Sequence, residues 1–254
     1  MNGLENNEWE MDTLGKPGQR GIYLLPNLLT TMALFAGFYS IVAAMKGRFE
    51  TAAMAIFIAM LADSLDGRVA RMTNTQSAFG AQYDSLSDMV ASGLAPALVL
   101  YSWSLTYLGK IGWLAAFLYA AATALRLARF NVIKTDKNYF QGLPCPSAAG
   151  VIASVVWLGS IYGFKGQHCA IAGAIISVCV SLLMVSTIRY SSFKSMDMKG
   201  KVPFFTIVLT VLVLIALALQ PAEMLFGIFS CYVLSGPLLV LKHWRKLKQL
   251  KQRK

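Results

Sequence analysis

Four carboxylates and two guanidinium groups fall within 26 residues of a chain whose apolar runs carry few other charges. The stretch reads Asp63-Ser-Leu-Asp66-Gly67-Arg68-Val-Ala70-Arg71, then eight residues to Gly80, then Asp84 and Asp88. On helices, Asp63 and Asp66 share one face, and so do Asp84 and Asp88, because residues three and four apart are neighbours. Gly67, Ala70 and Gly80 carry little or no side chain, so a second helix or a phosphate can come close to the backbone there. Converging carboxylates repel one another unless cations offset them, and an all-oxygen donor set suits hard divalent ions such as Mg2+ or Mn2+. Two such ions about 4 Å apart form the clamp that serves in-line displacement at phosphorus. Capping or pairing with Arg68 and Arg71 accounts for one or two of these aspartates, but not readily for four with small residues between them. An ion pathway is the other functional reading, since acidic groups within membrane spans carry cations or protons. Against it, the carboxylates gather near one end of their spans, and no polar trail continues through the others.

The elements that position these groups must be helices in a membrane. Of 254 residues 56% are hydrophobic and 14% charged, and the mean hydropathy is +0.56, whereas a soluble domain carries about a quarter charged residues. Runs near the roughly 20 residues needed to cross a bilayer predict eight spans, at about 22–45, 50–70, 84–107, 112–131, 147–164, 168–188, 203–220 and 222–241. The expected class is an all-α polytopic membrane protein. Glu5, Glu8, Glu10 and Asp12 precede the first span, the opposite of a signal peptide's basic start. With both termini cytosolic, every Lys and Arg except Lys46, Arg48, Lys110 and Lys165 falls on the inner side, as the positive-inside rule requires. That orientation puts the aspartates at the cytosolic face of the cell (inner) membrane. The net charge of +11 then belongs to cytosolic loops and the tail 242–254; it suits anionic headgroups, and no nucleic-acid partner is expected. Cys145, Cys169, Cys179 and Cys231 show no metal or disulfide spacing and are expected to pack as small apolar residues. His168 and His243 are too few for histidine-centred catalysis.

The motif Asp-x2-Asp-Gly-x2-Ala-Arg-x8-Gly-x3-Asp-x3-Asp resembles the signature of the CDP-alcohol phosphotransferases at all eight fixed positions. The resemblance implies transfer of a phosphatidyl group from a CDP-linked lipid to an alcohol, with release of CMP. It further implies that Asp63, Asp66 and Asp84 hold the metals, and that Asp88 both binds metal and deprotonates the alcohol. Asp66, Gly67, Ala70, Arg71 and Gly80 would line the CDP-lipid. Upstream, Pro26-Asn27-Leu-Leu-Thr30 is read either as a simple start of the first span or, by resemblance to the family's Pro-Asn-x-x-Thr element, as part of the nucleotide pocket through Pro26, Asn27 and Thr30.

The acceptor must be read elsewhere. Arg126-Leu-Ala-Arg129-Phe-Asn131 places two arginines on one face, either as snorkelling anchors or as an anion site. Gln141-Gly-Leu-Pro144-Cys145-Pro146 follows. These segments resemble the phosphatidylserine synthase branch of the family, which implies L-serine as acceptor, with Arg126 and Arg129 for its carboxylate and Asn131 and Gln141 as further contacts. Cys145 departs from that pattern, where Ser or Ala would be expected. A phosphorylated acceptor (inositol phosphate, glycerol 3-phosphate) calls for a denser basic pocket, and choline for an aromatic cage. Outside the class, a divalent-cation transporter is the rival reading. The family layout implies a six-helix core over 22–188 after a cytosolic segment 1–21. Two further helices and their loop then make up 189–241, the tail 242–254 follows, and a homodimer is expected.

Overall fold

The computed structural model describes residues 20–132, 139–191 and 204–251. The acidic N-terminal residues, the loop lysines Lys134, Lys137, Lys194, Lys199 and Lys201, and the last three residues lie outside them, as do the side chains of Gln141 and of 241–251.

Helix α1 (Arg20–Met45) turns through Lys46-Gly47-Arg48 into α2 (Phe49–Met72). Gly47 takes a φ of +71°, the left-handed region glycine occupies without strain. Ala43 and Ala44 on α1 and Ala52, Ala53 and Ala55 on α2 are buried, so the two backbones pack close, as small residues allow in a bilayer. Ser40 Oγ donates to the Ala52 carbonyl at 2.7 Å across the pair. Pro26 lies inside α1 rather than at its start. The reading of Pro26 as a start signal is therefore replaced: the helix already runs from Arg20, and proline there withholds an N–H from the carbonyl four residues back.

Helix α3 (Ala78–Asp88) begins earlier than the expected 84, because Ser77 caps it by accepting the Gly80 N–H at 3.0 Å. The expected loop 72–83 shortens to 73–77. A π-turn (Met89–Leu94) follows directly, then α4 (Ala95–Trp103), a 3-10 turn (Leu105–Leu108) and α5 (Lys110–Val132). Helices α6 (Cys145–Ile161) and α7 (Gly166–Val185) come next, then α8 (Phe204–Leu219) and α9 (Pro221–Lys251). The last helix runs to Lys251, so ten residues of the expected tail are helical in backbone. Two three-residue strands, β1 (Tyr139–Gln141) and β2 (Arg189–Ser191), pair antiparallel with Phe140 opposite Tyr190. This ribbon joins two expected loops, a long-range pairing that hydrophobic periodicity does not signal. Tyr190 is buried and its hydroxyl donates to the Val233 carbonyl of α9 at 3.2 Å.

The core centres on α6, whose residues from Ala148 to Ser154 are all buried. Gly159 lies so near Trp103 that a Cβ would stand 2.2 Å from the indole. All four cysteines are free, with Cys145 buried. Outward, α1 exposes Leu28, Met32, Phe35 and Tyr39, and α7 exposes Ile171, Ile175 and Leu182. Small residues inside and large apolar ones outside are the pattern of helices in lipid. Among the described residues, four segments are long and apolar enough to cross a bilayer: Leu25–Met45, Lys110–Val132, Gly166–Val185 and Pro221–Val240. Cys145–Ile161 and Thr210–Leu219 are shorter apolar helices. The two remaining rods, α2 and the α3–π-turn–α4 run, hold the aspartates. The chain is thus an all-α membrane protein.

Candidate active site

Helix α3 packs on α1, and its carboxylates meet those near the end of α2. One carboxylate oxygen each from Asp63, Asp66 and Asp84 lies within 4.8 Å of the others. Asp63 also stands against Asp88, so the four expected carboxylates come to one place.

Asp66 is only 4% exposed, and Thr30 of α1 donates to its Oδ2 at 2.6 Å. The Pro26 carbonyl lies 3.1 Å from the same hydroxyl. Two more contacts fix α3 on α1: Ser87 Oγ donates to the Thr30 carbonyl at 3.1 Å, and the Tyr83 and Thr31 hydroxyls are 2.9 Å apart. Thr31 donates in turn to the Asn27 carbonyl at 2.7 Å. Gly80 sits against α1; a Cβ there would come within 3.5 Å of Asn27 Oδ1. The Arg71 guanidinium folds back over Gly67, where a Cβ would meet it at 3.5 Å. Ala70 closes the turn after α2 by accepting the Thr75 N–H at 3.0 Å.

Of the residues expected for the acceptor, Asn131 is tied to Ser85, one residue from Asp84, with amide-to-hydroxyl distances of 3.1 and 3.3 Å. Arg126 reaches the end of α7: its Nη1 donates to the Met184 carbonyl at 3.3 Å, beside Gly142 and Cys145. Cys145 lies within electrostatic reach of both Arg126 and Asp88, which links the two sides. Arg129 neighbours Arg126, as does Tyr232 of α9. Tyr83, Ser85, Ser87 and Tyr232 escaped the sequence reading. Only Ser85 and Ser87 carried a signal, as hydroxyls adjoining Asp84 and Asp88.

The donor set fits a hard divalent cation. All ligand atoms are carboxylate oxygens, and Asp84 Oδ1 is buried with no hydrogen-bond partner. A buried unpaired acceptor costs free energy comparable to a lost hydrogen bond, and a cation placed among these oxygens relieves it. A hydroxyl that orients a ligand from behind typically carries about 10- to 100-fold in metal affinity. Thr30→Ala is therefore expected to raise by about 10- to 100-fold the Mn2+ concentration that gives a fixed rise in unfolding temperature. Thr30→Ser should restore it. A titration curve unmoved by Thr30→Ala would show that the Thr30 bond does not orient Asp66.

Residues 23–179 match the family model for the CDP-alcohol phosphatidyltransferases. The chain is 37% identical over 217 residues to the CDP-diacylglycerol–serine O-phosphatidyltransferase of Helicobacter pylori, covering 85% of this chain and 90% of that one. It is 32% identical over 240 residues to the Mycobacterium tuberculosis protein of the same name, covering 89% and 82%. An archaetidylserine synthase of Methanothermobacter thermautotrophicus is 37% identical over 168 residues, 65% of this chain and 69% of that one. The matched span holds the aspartates, the Thr30 bond, Arg126 and Cys145, and on that match the chain belongs to the CDP-alcohol phosphatidyltransferase family.

Proposed function

We propose that this chain transfers the phosphatidyl group of CDP-diacylglycerol to the hydroxyl of L-serine, giving phosphatidylserine and CMP. The observation that carries the reading is the convergence of Asp63, Asp66 and Asp84 on one point with Asp88 beside Asp63, within a chain similar to serine phosphatidyltransferases over most of its length. Asp63, Asp66, Asp84 and Asp88 would hold one or two Mg2+ or Mn2+ ions, which when bound supply positive charge against the diphosphate oxygens. Arg71, lying over Gly67, is set to grip a phosphate with paired donors. Asn27, Gly80 and Pro26 line the side where the nucleotide enters, and Thr30 and Ala70 shape its floor.

Asp88 takes the proton of the serine hydroxyl. The serine oxygen forms a bond to the lipid-side phosphorus, and the bond from that phosphorus to the bridging oxygen breaks with its electron pair leaving on CMP. A positioned carboxylate within reach of the hydroxyl is the general base this step needs. Arg126 and Arg129 answer the serine carboxylate, and Asn131 its ammonium, with Gln141 on the adjoining strand. The exposed apolar faces of α1 and α2 accept the acyl chains, so the lipid reacts without leaving the bilayer. The site opens to the cytosol from the cell membrane, with both termini on that side, in a homodimer. The domain reading is a six-helix core over 22–188 with α8 and α9 added.

The test follows CMP release from CDP-diacylglycerol by purified protein in detergent with Mn2+ or Mg2+. Serine, glycerol 3-phosphate, inositol phosphate and choline are offered separately. Release with serine alone is the expected result. Release with another acceptor would overturn the assignment of the Arg126 corner, and none with any acceptor would overturn the transferase reading for this chain.

A further inference from the structure

We propose that Tyr119 is a positioning residue for Asp88, acting through the π-turn between Asp88 and α4. The proposal rests on the reading of Asp88 as the base. Asp88 ends α3, and Met89–Leu94 winds with wider turns, the Ala95 N–H reaching back to the Val90 carbonyl. A single π-turn resets the phase of the side chains before it relative to those after it. Pro96 comes next in the new helix, and it has no N–H to give. The carbonyl four residues before it belongs to Ser92, so Ser92 loses the donor that an α-helix would bring. Ser92 is 2% exposed, so its carbonyl is shielded from bulk solvent.

Tyr119 of α5 fills it. Its hydroxyl donates to the Ser92 carbonyl at 2.9 Å, and the side chain is fully buried. Thr123, one turn on, donates to the Tyr119 carbonyl at 3.0 Å. Gly93 stands against it, where a Cβ would lie 3.1 Å from Thr123 Cγ2. On the opposite side Gly37 of α1 comes so near that a Cβ would lie 2.7 Å from Ala91 Cα. The turn is thus held by one polar pin and two close steric faces. Loss of the hydroxyl leaves a buried carbonyl unpaired, and the turn relieves this by shifting. Asp88 adjoins the turn and moves with it. The nucleotide side is held separately, through the Ser87 and Tyr83 bonds to α1, so substrate binding is spared.

Tyr119→Phe removes the hydroxyl and keeps the ring. The expected result is a fall in kcat for CMP release of between about tenfold and about a hundredfold, the cost of a misplacement of about 1 Å. The KM for CDP-diacylglycerol should stay within about threefold, the sign of a loss confined to the transition state. A Pro96→Ala background supplies a backbone N–H that can reach the Ser92 carbonyl. There the same change should cost less than about threefold, because the two sites serve one acceptor. An equal loss on both backgrounds, or no loss on the native one, overturns the proposal. Should Pro96→Ala itself be inactive, Tyr119→Phe alone decides: turnover lost with Mn2+-dependent CDP-diacylglycerol binding retained supports the pin, and loss of both overturns it. Asp88→Asn measured alongside separates the two readings. Turnover that survives it overturns the base assignment, whereas the dependence on Pro96 reports the pin alone.

Discussion

Asp88→Asn is expected to cut CMP release by about 10²- to 10⁴-fold, the usual contribution of a positioned general base. The amide keeps the shape and one oxygen of the carboxylate but cannot take the serine proton. Because Asp63, Asp66 and Asp84 form the tight oxygen triad and Asp88 stands at its margin against Asp63, metal-dependent binding of CDP-diacylglycerol should fall much less than turnover. A second effect has the opposite sign. Four carboxylates packed together repel one another when no cation is bound, so removing one charge should raise the unfolding temperature of the metal-free protein. A variant less active but more stable is the signature of a group kept for chemistry rather than for the fold. Turnover within tenfold of the native protein would show that another group takes the proton.

How much of this was legible in the sequence depends on the range of the interaction. The aspartates were legible because one helical turn fixes the spacing within each pair, and the small residues between them announce a close approach. The Thr30–Asp66 bond was half legible: Thr30 was singled out by its motif, but its partner is 36 residues away and only the packing of α1 on α2 brings them together. The start of α3 was missed because its signal is a Ser77 cap acting over three residues in a stretch with little apolar periodicity. The β1–β2 ribbon was missed for a related reason, since three-residue strands 50 residues apart carry no local pattern. The π-turn was hidden within what reads as one apolar span. Nothing in the sequence says that Pro96 costs Ser92 a donor and that a tyrosine 23 residues later supplies it. Arg126 shows the limit most clearly. Its type and spacing suggested a snorkelling anchor or an anion site, but not that its Nη1 donates to the Met184 carbonyl at the end of α7, a contact fixed by tertiary packing alone.

Asp84→Ala should reveal the metal without reference to turnover. In the native protein, a ligand that binds only the folded state stabilises it by about 2.7 kcal/mol at a hundred times its Kd. If loss of Asp84 raises that Kd about a hundredfold, the same Mn2+ concentration equals Kd and the stabilisation falls to about 0.4 kcal/mol. Turnover should fall with it, since the ion is then left with Asp63 and Asp66 from α2 and only Asp88, at the margin of the triad, from α3. The metal-free variant should, by contrast, be more stable than the native chain. Asp84 Oδ1 is buried without a hydrogen-bond partner, and deleting an unsatisfied buried acceptor removes a cost of about 1–3 kcal/mol, while α3 keeps its Ser87 and Tyr83 ties to α1. The two measurements are made by thermal unfolding in detergent, with chelator and with Mn2+. A variant that keeps the full Mn2+ shift would mean that the orphaned oxygen is not a ligand. A variant destabilised in chelator would mean that Asp84 serves to hold α2 and α3 together, and the cation would then have to be sought on Asp63, Asp66 and Asp88 alone.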